Sequence, residues 1–384
     1  MPRAASKAKR TKPAQESGGD GGAEEVSSPA VANAASSSSG NDNSNNNNNN
    51  NNGHVNEVSL EEGLKRLREA YEKPPQQKIL AFYSSVLGGV TKEPALFTVP
   101  VDDHQPQRGH AVFDTCNVQH GLAIGLTPHL NRLVESARRG RIEPFADVET
   151  LRRIVLDTIA ASRTRDNAYV RMYMSAGRGD FHVSPRNCKG TNFFVVVHAY
   201  NEAAKAHERE HGISECIVSV PLKSKELATF KTTNYIVNAL AAMEAQERGG
   251  TLGLQLDPHG NIAETSVGSV GFVGPDLVLR TPKLDFVLKS TTVVRAKELV
   301  EAHPQDAKPL MGFQYADITP SQAREAIEVV GFGGGHVSPI VTFDGKQVGD
   351  GKPGPVFRAL HALLDRDAQA GSPNVDVVPY EVYE

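Results

Sequence analysis

The chain has 384 residues, 39% of them hydrophobic and 22% charged, with a formal charge of −4. That balance suits one large or two medium globular domains, and no apolar run reaches the roughly 20 residues of a membrane helix, so neither nucleic acid nor a membrane is indicated as partner. Three widely spaced cysteines, Cys116, Cys188 and Cys216, lack metal-ligand or C-x-x-C spacing and read as free thiols in a reducing compartment; no metal site is expected.

Residues 1–55 are rich in Ala, Ser, Gly and Asn and include the unbroken run Asn45–Asn52. They hold too few large apolar residues to offset the entropy of ordering, which predicts a disordered tail. The basic opening MPRAASKAKR has no apolar segment of the kind a secretory signal needs, and Glu24 and Glu25 follow soon after. A cytoplasmic protein is expected, with plastid or mitochondrion as the alternative.

Order is expected from Val58. Ser59 and Glu62 have capping-box spacing, and Leu60, Leu64 and Leu67 would form the apolar face of a helix. KILAFYSSVLGGV (78–90) reads as a strand and turn, and ALFTVPVDDH (95–104) as another strand. Thr127 as N-cap and Pro128 in the first turn open a helix that lines up Leu130, Leu133, Val134 and Ala137. A second helix covers LRRIVLDTIAAS (151–162). AYVRMYMSAG (168–177) alternates like a strand buried on one face, and NFFVVVHAY (192–200) like one buried on both. The polar stretch NEAAKAHEREHG (201–212), itself partly helical in character, separates two strand-rich halves. It divides the chain into an N-terminal domain over 56–205 and a C-terminal domain over 206–384.

In the second half CIVSVP (216–221) reads as a short strand. Asn234–Arg248 reads as a helix with Ile236, Leu240 and Met243 on one face and Gly249-Gly250 as its stop. LGLQL and NIAET flank the turn Asp257-Pro258-His259-Gly260 in a hairpin. Strands follow at GFV (271–273), LVLR (277–280), IEVVGF (327–332) and PIVTF (339–343), with a glycine loop GFGGGH at 331–336. Helices are expected at Thr292–Ala302, Pro320–Ala326 and 355–367. Helices and strands mix without strict alternation, so the fold class is α/β in the α+β sense, with two domains and no doubly wound sheet.

Six segments carry chemistry when taken in order: VFDT (112–115), HLNR (129–132), FKTTNYIVNALAAMEAQERGG (230–250), LGLQLDPHGNIAET (252–265), LKSTTVVRAKEL (288–299) and PIVTFDGKQVGDGKPGPV (339–356). None decides alone. Together, over roughly residues 76–365, their order and spacing resemble the class IV aminotransferases, which include branched-chain and D-amino acid aminotransferases and aminodeoxychorismate lyases. RGHAVFDT and SAGRGDF look most like plant-type D-amino acid transaminases with lyase activity.

That resemblance implies a fold type IV enzyme with its site between two domains near a homodimer interface, and pyridoxal 5′-phosphate as cofactor. Lys231, in Lys-Thr-Thr-Asn-Tyr, stands where the family binds the cofactor covalently. Such an amine must be neutral to attack an aldehyde, which burial and a neighbouring positive charge favour. Glu264 stands where a glutamate faces the cofactor's ring nitrogen. Arg132 matches an arginine on the phosphate, whose planar fork suits that group. Thr291 and Thr292 match a phosphate-binding helix start. Gly333 and Gly334 replace hydroxyl-bearing residues in the second phosphate loop, and Ser269 replaces an asparagine. Both departures predict weaker or altered cofactor binding. For the substrate, Arg171 and Phe113 match positions at the family's active-site edge, whereas Ala176 stands where bacterial D-amino acid enzymes carry a carboxylate-binding arginine. The implied reaction moves an amino group from an amino acid, a D-amino acid first, to a 2-oxo acid. Aminodeoxychorismate lyase, branched-chain aminotransferase and a non-catalytic cofactor-binding protein are the alternatives.

Overall fold

Every second residue of Ala168–Ser175, from Ala168 to Met174, is buried, while Tyr169, Arg171 and Tyr173 stay half-buried on the other face. The computed structural model describes residues 55–72 and 78–383; the tail expected over 1–55 lies, except for Val55, outside the described residues. Besides helices α1 (Leu60–Glu72) and α2 (His104–Arg108), the first half builds one sheet. Its strands are β1 (Ile79–Ser84), β2 (Gly89–Thr91), β3 (Ala111–Gln119), β4 (Leu122–Ile124), β5 (Ala168–Ser175) and β6 (Asn192–Ala199), all paired antiparallel in the order β4-β3-β5-β6-β1-β2. Helices α3 (Leu126–Arg139) and α4 (Val148–Ser162) cover one face, where Leu130, Leu133, Leu151 and Ile159 bury against Val112, Cys116, Val170 and Met172. The opposite face presents Phe113, Thr115 and Asn117 of β3, directly across from Tyr173, Arg171 and Tyr169 of β5.

Helix α5 (Glu202–His211) leads into β7 (Ile213–Glu215), α6 (Lys225–Ala228) and α7 (Ile236–Glu247). A hairpin of β8 (Leu254–Leu256) and β9 (Ile262–Thr265) follows. A second sheet then takes β10 (Ser269–Val273), β11 (Val278–Pro282), β12 (Gly312–Ala316), β13 (Glu328–Gly333), β14 (His336–Phe343) and β15 (Lys346–Gln347) in the order β12-β11-β10-β13-β14-β15, with β7 parallel on β14. Helices α8 (Thr291–Ala302) and α10 (Pro355–Asp367) bury Val293, Ala296, Leu360 and Leu363 against Val330, Phe332 and Val337, and the short α9 (Pro320–Arg324) carries a full capping box at Thr319 and Gln322. The last strand, β16 (Val375–Val377), crosses back to pair with β4 of the first sheet. Among the described residues no helix is long and apolar enough to cross a membrane.

Several elements depart from the sequence reading. ALFTVPVDDH is no strand: Pro94–Leu96 form a 3-10 turn, and Asp103 caps α2 by accepting from the Gln105 N–H at 2.8 Å. Pro100, without an N–H, could not serve a ladder in any case. Helix α3 begins at Leu126, with Gly125 as N-cap at φ +64°, so Thr127 sits inside the first turn instead of capping it. The strand expected at CIVSVP falls earlier, at Ile213–Glu215, and only Ile217 makes a bridge, to Leu254. The 331–336 loop is instead the tip of the β13–β14 hairpin.

Helix α7 is turned round. Ile236, Leu240 and Met243 are 70%, 46% and 55% exposed, and the buried side is Asn238, Ala241 and Ala245. The cause is close approach. A Cβ on Gly253 would stand 2.8 Å from the Ala241 carbonyl and 3.0 Å from the Ala245 side chain, so only small residues fit between helix and chain. Helix α1, by contrast, buries none of its residues, and touches the body through Tyr71 edge-on to Phe97 and Arg68 on Glu93.

Candidate functional site

The open face of the first sheet and strands β10, β13 and β14 of the second enclose a cavity of about 540 Å³. Phe113, Arg132, Arg171, Lys231, Glu264, Thr291, Thr292, Gly333 and Gly334 all line it. The structure therefore brings together the whole set of residues picked out by motif spacing, although they come from both halves of the chain. Ser269, at the start of β10, lines it as well, whereas Ala176 does not.

Lys231 lies on the segment that crosses from α6 to α7. Its carbonyl accepts from the Phe113 N–H at 3.0 Å and its N–H donates to Ser136 Oγ at 3.1 Å, which pins the backbone against β3 and α3. The side chain runs inward, with Nζ donating to Tyr235 Oη at 3.0 Å and standing 4.6 Å from the Phe113 ring centroid. Burial, then the charge of Arg132, pushes this amine down to about 8. Each effect disfavours the ammonium form.

Glu264 lies one residue before the end of β9, 6% exposed, and its carboxylate accepts from the Leu288 N–H at 3.2 Å. Burial pushes it up to about 7, against the opposing influence of Lys223 and Lys231. A carboxylate so placed is short of positive partners and suits a cationic group delivered by a ligand.

Arg132 is held as a fork. Its Nε and Nη2 donate to the two oxygens of Asp114, each at 2.8 Å, and Nη1 donates to the Lys289 carbonyl at 3.0 Å. His129, one turn earlier on α3, donates from Nδ1 to Asp114 at 2.7 Å, because an ionised carboxylate can only accept. That tautomer leaves its Nε2 to face the Thr291 hydroxyl at 3.4 Å. Burial opposes the charge on Asp114, but Arg132 and His129 outweigh it and hold the carboxyl well below its usual range. Asp114→Ala should therefore destabilise the protein by about 3–5 kcal/mol, the range for one partner stripped from a buried charge cluster. The loss, read from urea unfolding, should be full at pH 7 and shrink as acid below roughly pH 4 protonates the unfolded carboxylate first and then the folded one. Equal stability of mutant and wild type at pH 7 would refute this.

Helix α8 begins beside the fork. Ser290 caps it by accepting from the Val293 N–H at 3.3 Å, and Thr292 accepts from the Gly335 N–H at 3.0 Å. A helix start, a rigid guanidinium and glycine backbone together make an anion cradle. Arg171 faces the same space, its guanidinium carbon 5.8 Å from the Phe113 centroid, and among the described residues it has no ion-pair partner. Three buried polar atoms of the lining, Arg171 Nε, Asn238 Oδ1 and Ser266 Oγ, have no partner within the described protein. Buried polar groups are normally satisfied, so this pattern points to a polar ligand.

Sequence reasoning missed His129, Tyr235, Lys223, Asn238 and Leu288, which also line the cavity. His129 had a signal: three residues before Arg132, it shares that residue's face of α3. Lys223, 4.7 Å from the Tyr235 ring centroid, had none, since it lies on a loop without periodicity.

Comparison with known proteins gives this geometry a context. The family profile described as "Amino-transferase class IV" matches residues 111–342. A chloroplastic D-amino-acid transaminase of Arabidopsis thaliana is 37% identical over 309 residues, covering 79% of this chain and 81% of that protein. Among solved structures, the branched-chain amino acid aminotransferase of Thermobaculum terrenum in its PLP form superposes with a TM-score of 0.66 at 20% identity, over 76% of this chain and 94% of that one. The branched-chain amino acid aminotransferase of Thermoproteus uzoniensis with norvaline gives 0.68 at 19% identity, over 78% and 100%. At those identities the structures attest the fold.

Proposed function

The chain belongs to the class IV aminotransferases, which work with pyridoxal 5′-phosphate, and on that premise we propose that it moves an amino group from a D-amino acid to pyruvate or 2-oxoglutarate, with Lys231 as the residue that binds the cofactor. One observation carries this reading: a buried amine whose ammonium form is disfavoured and a buried, under-compensated carboxylate share one cavity with a cationic fork and a helix start.

The residues fit the cofactor at both ends. Arg132, Thr291, Thr292 and the Gly333–Gly334 backbone form the cradle for its phosphate, and Glu264 is the partner for its ring nitrogen. When bound, the cofactor supplies the electron sink for the pair left behind as the substrate's α C–H bond breaks. Everything else falls to the protein. Lys231 Nζ would take the proton from the substrate α-carbon and return it later, and a pKa near 8 suits a group that must do both at neutral pH. Tyr235 Oη, accepting from Nζ, keeps that amine aimed across the Phe113 ring. Asp114 and His129 hold Arg132 still, so that its fork is not reorganised when an anion arrives.

For the substrate carboxylate the proposal is Arg171, a guanidinium without an ion-pair partner among the described residues, on the wall carrying Phe113. The Arabidopsis relative supports a D-amino acid as donor, and Ala176 in place of an arginine requires another cation to hold the carboxylate. Arg171→Ala should raise KM for the donor about tenfold or more, the worth of a charged hydrogen bond, while kcat changes less. The division into domains 56–205 and 206–384 and a homodimer belong to the same proposal, the second supported by the exposed apolar face of α7. The chloroplastic relative supports a plastid alongside the cytoplasm as compartment.

The test is a donor panel followed through 2-oxo acid production. D-alanine or another D-donor should turn over with 2-oxoglutarate faster than its L-enantiomer. Preference for L-leucine or L-valine, or pyruvate released from aminodeoxychorismate with no acceptor present, would overturn it.

A further inference from the structure

The tip of the β13–β14 hairpin is made of the residue type least able to hold its own shape. Gly333 pairs with His336, and the two residues between them, Gly334 at φ +57° and Gly335 at φ +76°, both lie in the left-handed region. Glycine permits that turn but loses more backbone entropy on ordering than any other residue, and no side chain of its own fixes the direction of the tip amides. Yet the tip borders the cradle: Gly333 and Gly334 line the cavity, and the Gly335 N–H donates to Thr292 Oγ1 at 3.0 Å. Something else must set it.

We propose that Asn117 does so: it is a positioning residue that clamps this tip from β3 and thereby aims the donors that grip the cofactor phosphate. The inference rests on the cofactor reading above. Asn117 is 2% exposed, and its side-chain Nδ2 donates both to the Gly334 carbonyl and, at 2.9 Å, to His336 Nε2. Gln119, two residues on along the same face, also approaches that ring nitrogen, at 3.4 Å. The nitrogen side of this amide is satisfied, while Asn117 Oδ1 has no partner among the described residues. An amide nitrogen has two hydrogens and meets two acceptors, provided the ring is neutral with its proton on Nδ1. Burial first, then the charge of Arg209, pushes His336 down to about 4, so the ring is neutral at working pH.

Two consequences reach the cradle. Thr292 Oγ1 accepts from the clamped Gly335 amide, so its own hydrogen is left to donate into the cavity. The Gly335 amide shares a peptide plane with the Gly334 carbonyl that Asn117 holds, so it is oriented with it. The hydroxyls missing from 331–336 are thus replaced by a threonine on α8, held by an amide of the tip, and the tip then needs an external clamp. Asn117 shares its face of β3 with Phe113 and Thr115, so the clamp also ties the phosphate end to the wall that carries the substrate side.

The experiment compares two ligands that differ only in the phosphate. Absorbance titration of Asn117→Ala should show affinity for pyridoxal 5′-phosphate lowered about tenfold, the worth of one or two hydrogen bonds, with affinity for pyridoxal unchanged within about twofold. His336→Leu, which removes the acceptor, should behave the same way. His336→Gln, which restores an acceptor, should lie near wild type; this pair decides the matter if Asn117→Ala does not fold. Unchanged cofactor affinity, or a parallel loss for both ligands, would overturn the clamp and leave Asn117 as ordinary packing. Wild-type protein that bound neither compound would overturn the cofactor reading itself.

Discussion

Lys231→Ala is expected to abolish covalent attachment of pyridoxal 5′-phosphate and to lower transamination by at least about 10³-fold, since the proposed function makes one side chain both nucleophile and proton carrier. The cradle is untouched by the change, so cofactor should still be retained without a covalent bond. Borohydride reduction of the wild-type holoenzyme, followed by peptide mapping, should leave the phosphopyridoxyl mass on residue 231. Two other lysines line the cavity, Lys205 and Lys223, and both are partly exposed; a label on either would end the assignment.

The pH dependence of attachment is a sharper form of the same test. An ordinary lysine titrates near 10.4, and its reactive fraction would keep rising about tenfold per unit up to that pH. Lys231 is held down to about 8 by burial and by Arg132. Its rate of attachment should therefore climb with pH only to about 8 and then level off. Arg132→Ala removes one cause of the shift, so the plateau should move to higher pH while phosphate affinity falls. A wild-type profile still rising at pH 10 would mean that the amine is solvated, and the proton-carrying role would fall with it.

The cavity wall was legible wherever the pattern was local. The alternation in 168–175 puts Arg171 on the face opposite Val170 and Met172, and that is how β5 lies. Motif order gathered nine residues that the fold does bring to one cavity. Failures have physical sources. Reading α7 as amphipathic assumed that Ile236, Leu240 and Met243 point inward, but the pass of Gly253 admits only Ala241 and Ala245, and contact at that range cannot be read from periodicity. The fork of Arg132 on Asp114 joins positions 18 residues apart, and the Asn117–His336 contact joins positions 219 apart. Neither leaves a one-dimensional trace. The same holds for β16, which returns from the far end of the chain to complete the first sheet.

Glu264→Gln should separate catalysis from binding. Glutamine keeps the size of the side chain and an oxygen to accept from the Leu288 N–H, but it cannot carry the negative charge that a protonated ring nitrogen needs. Attachment at Lys231 should survive, while turnover falls on the order of 10²-fold, which corresponds to about 2–3 kcal/mol of lost charge stabilisation. Stability should move the other way. Burial raises Glu264 to about 7, so without cofactor the folded protein binds this proton more tightly than the unfolded chain does. Whatever stability the group contributes is then complete below roughly pH 4.3, where an unfolded glutamate titrates, and is lost as pH rises through about 7. Glu264→Gln escapes that loss. Its apoprotein should match wild type at pH 4 and exceed it at pH 8, by on the order of 2 kcal/mol in urea unfolding. A site that sacrifices stability to hold an uncompensated charge is the pattern expected where a ligand completes the electrostatics. Full activity in Glu264→Gln, or a variant less stable than wild type at pH 8, would remove Glu264 from the chemistry and make it one more buried strand residue.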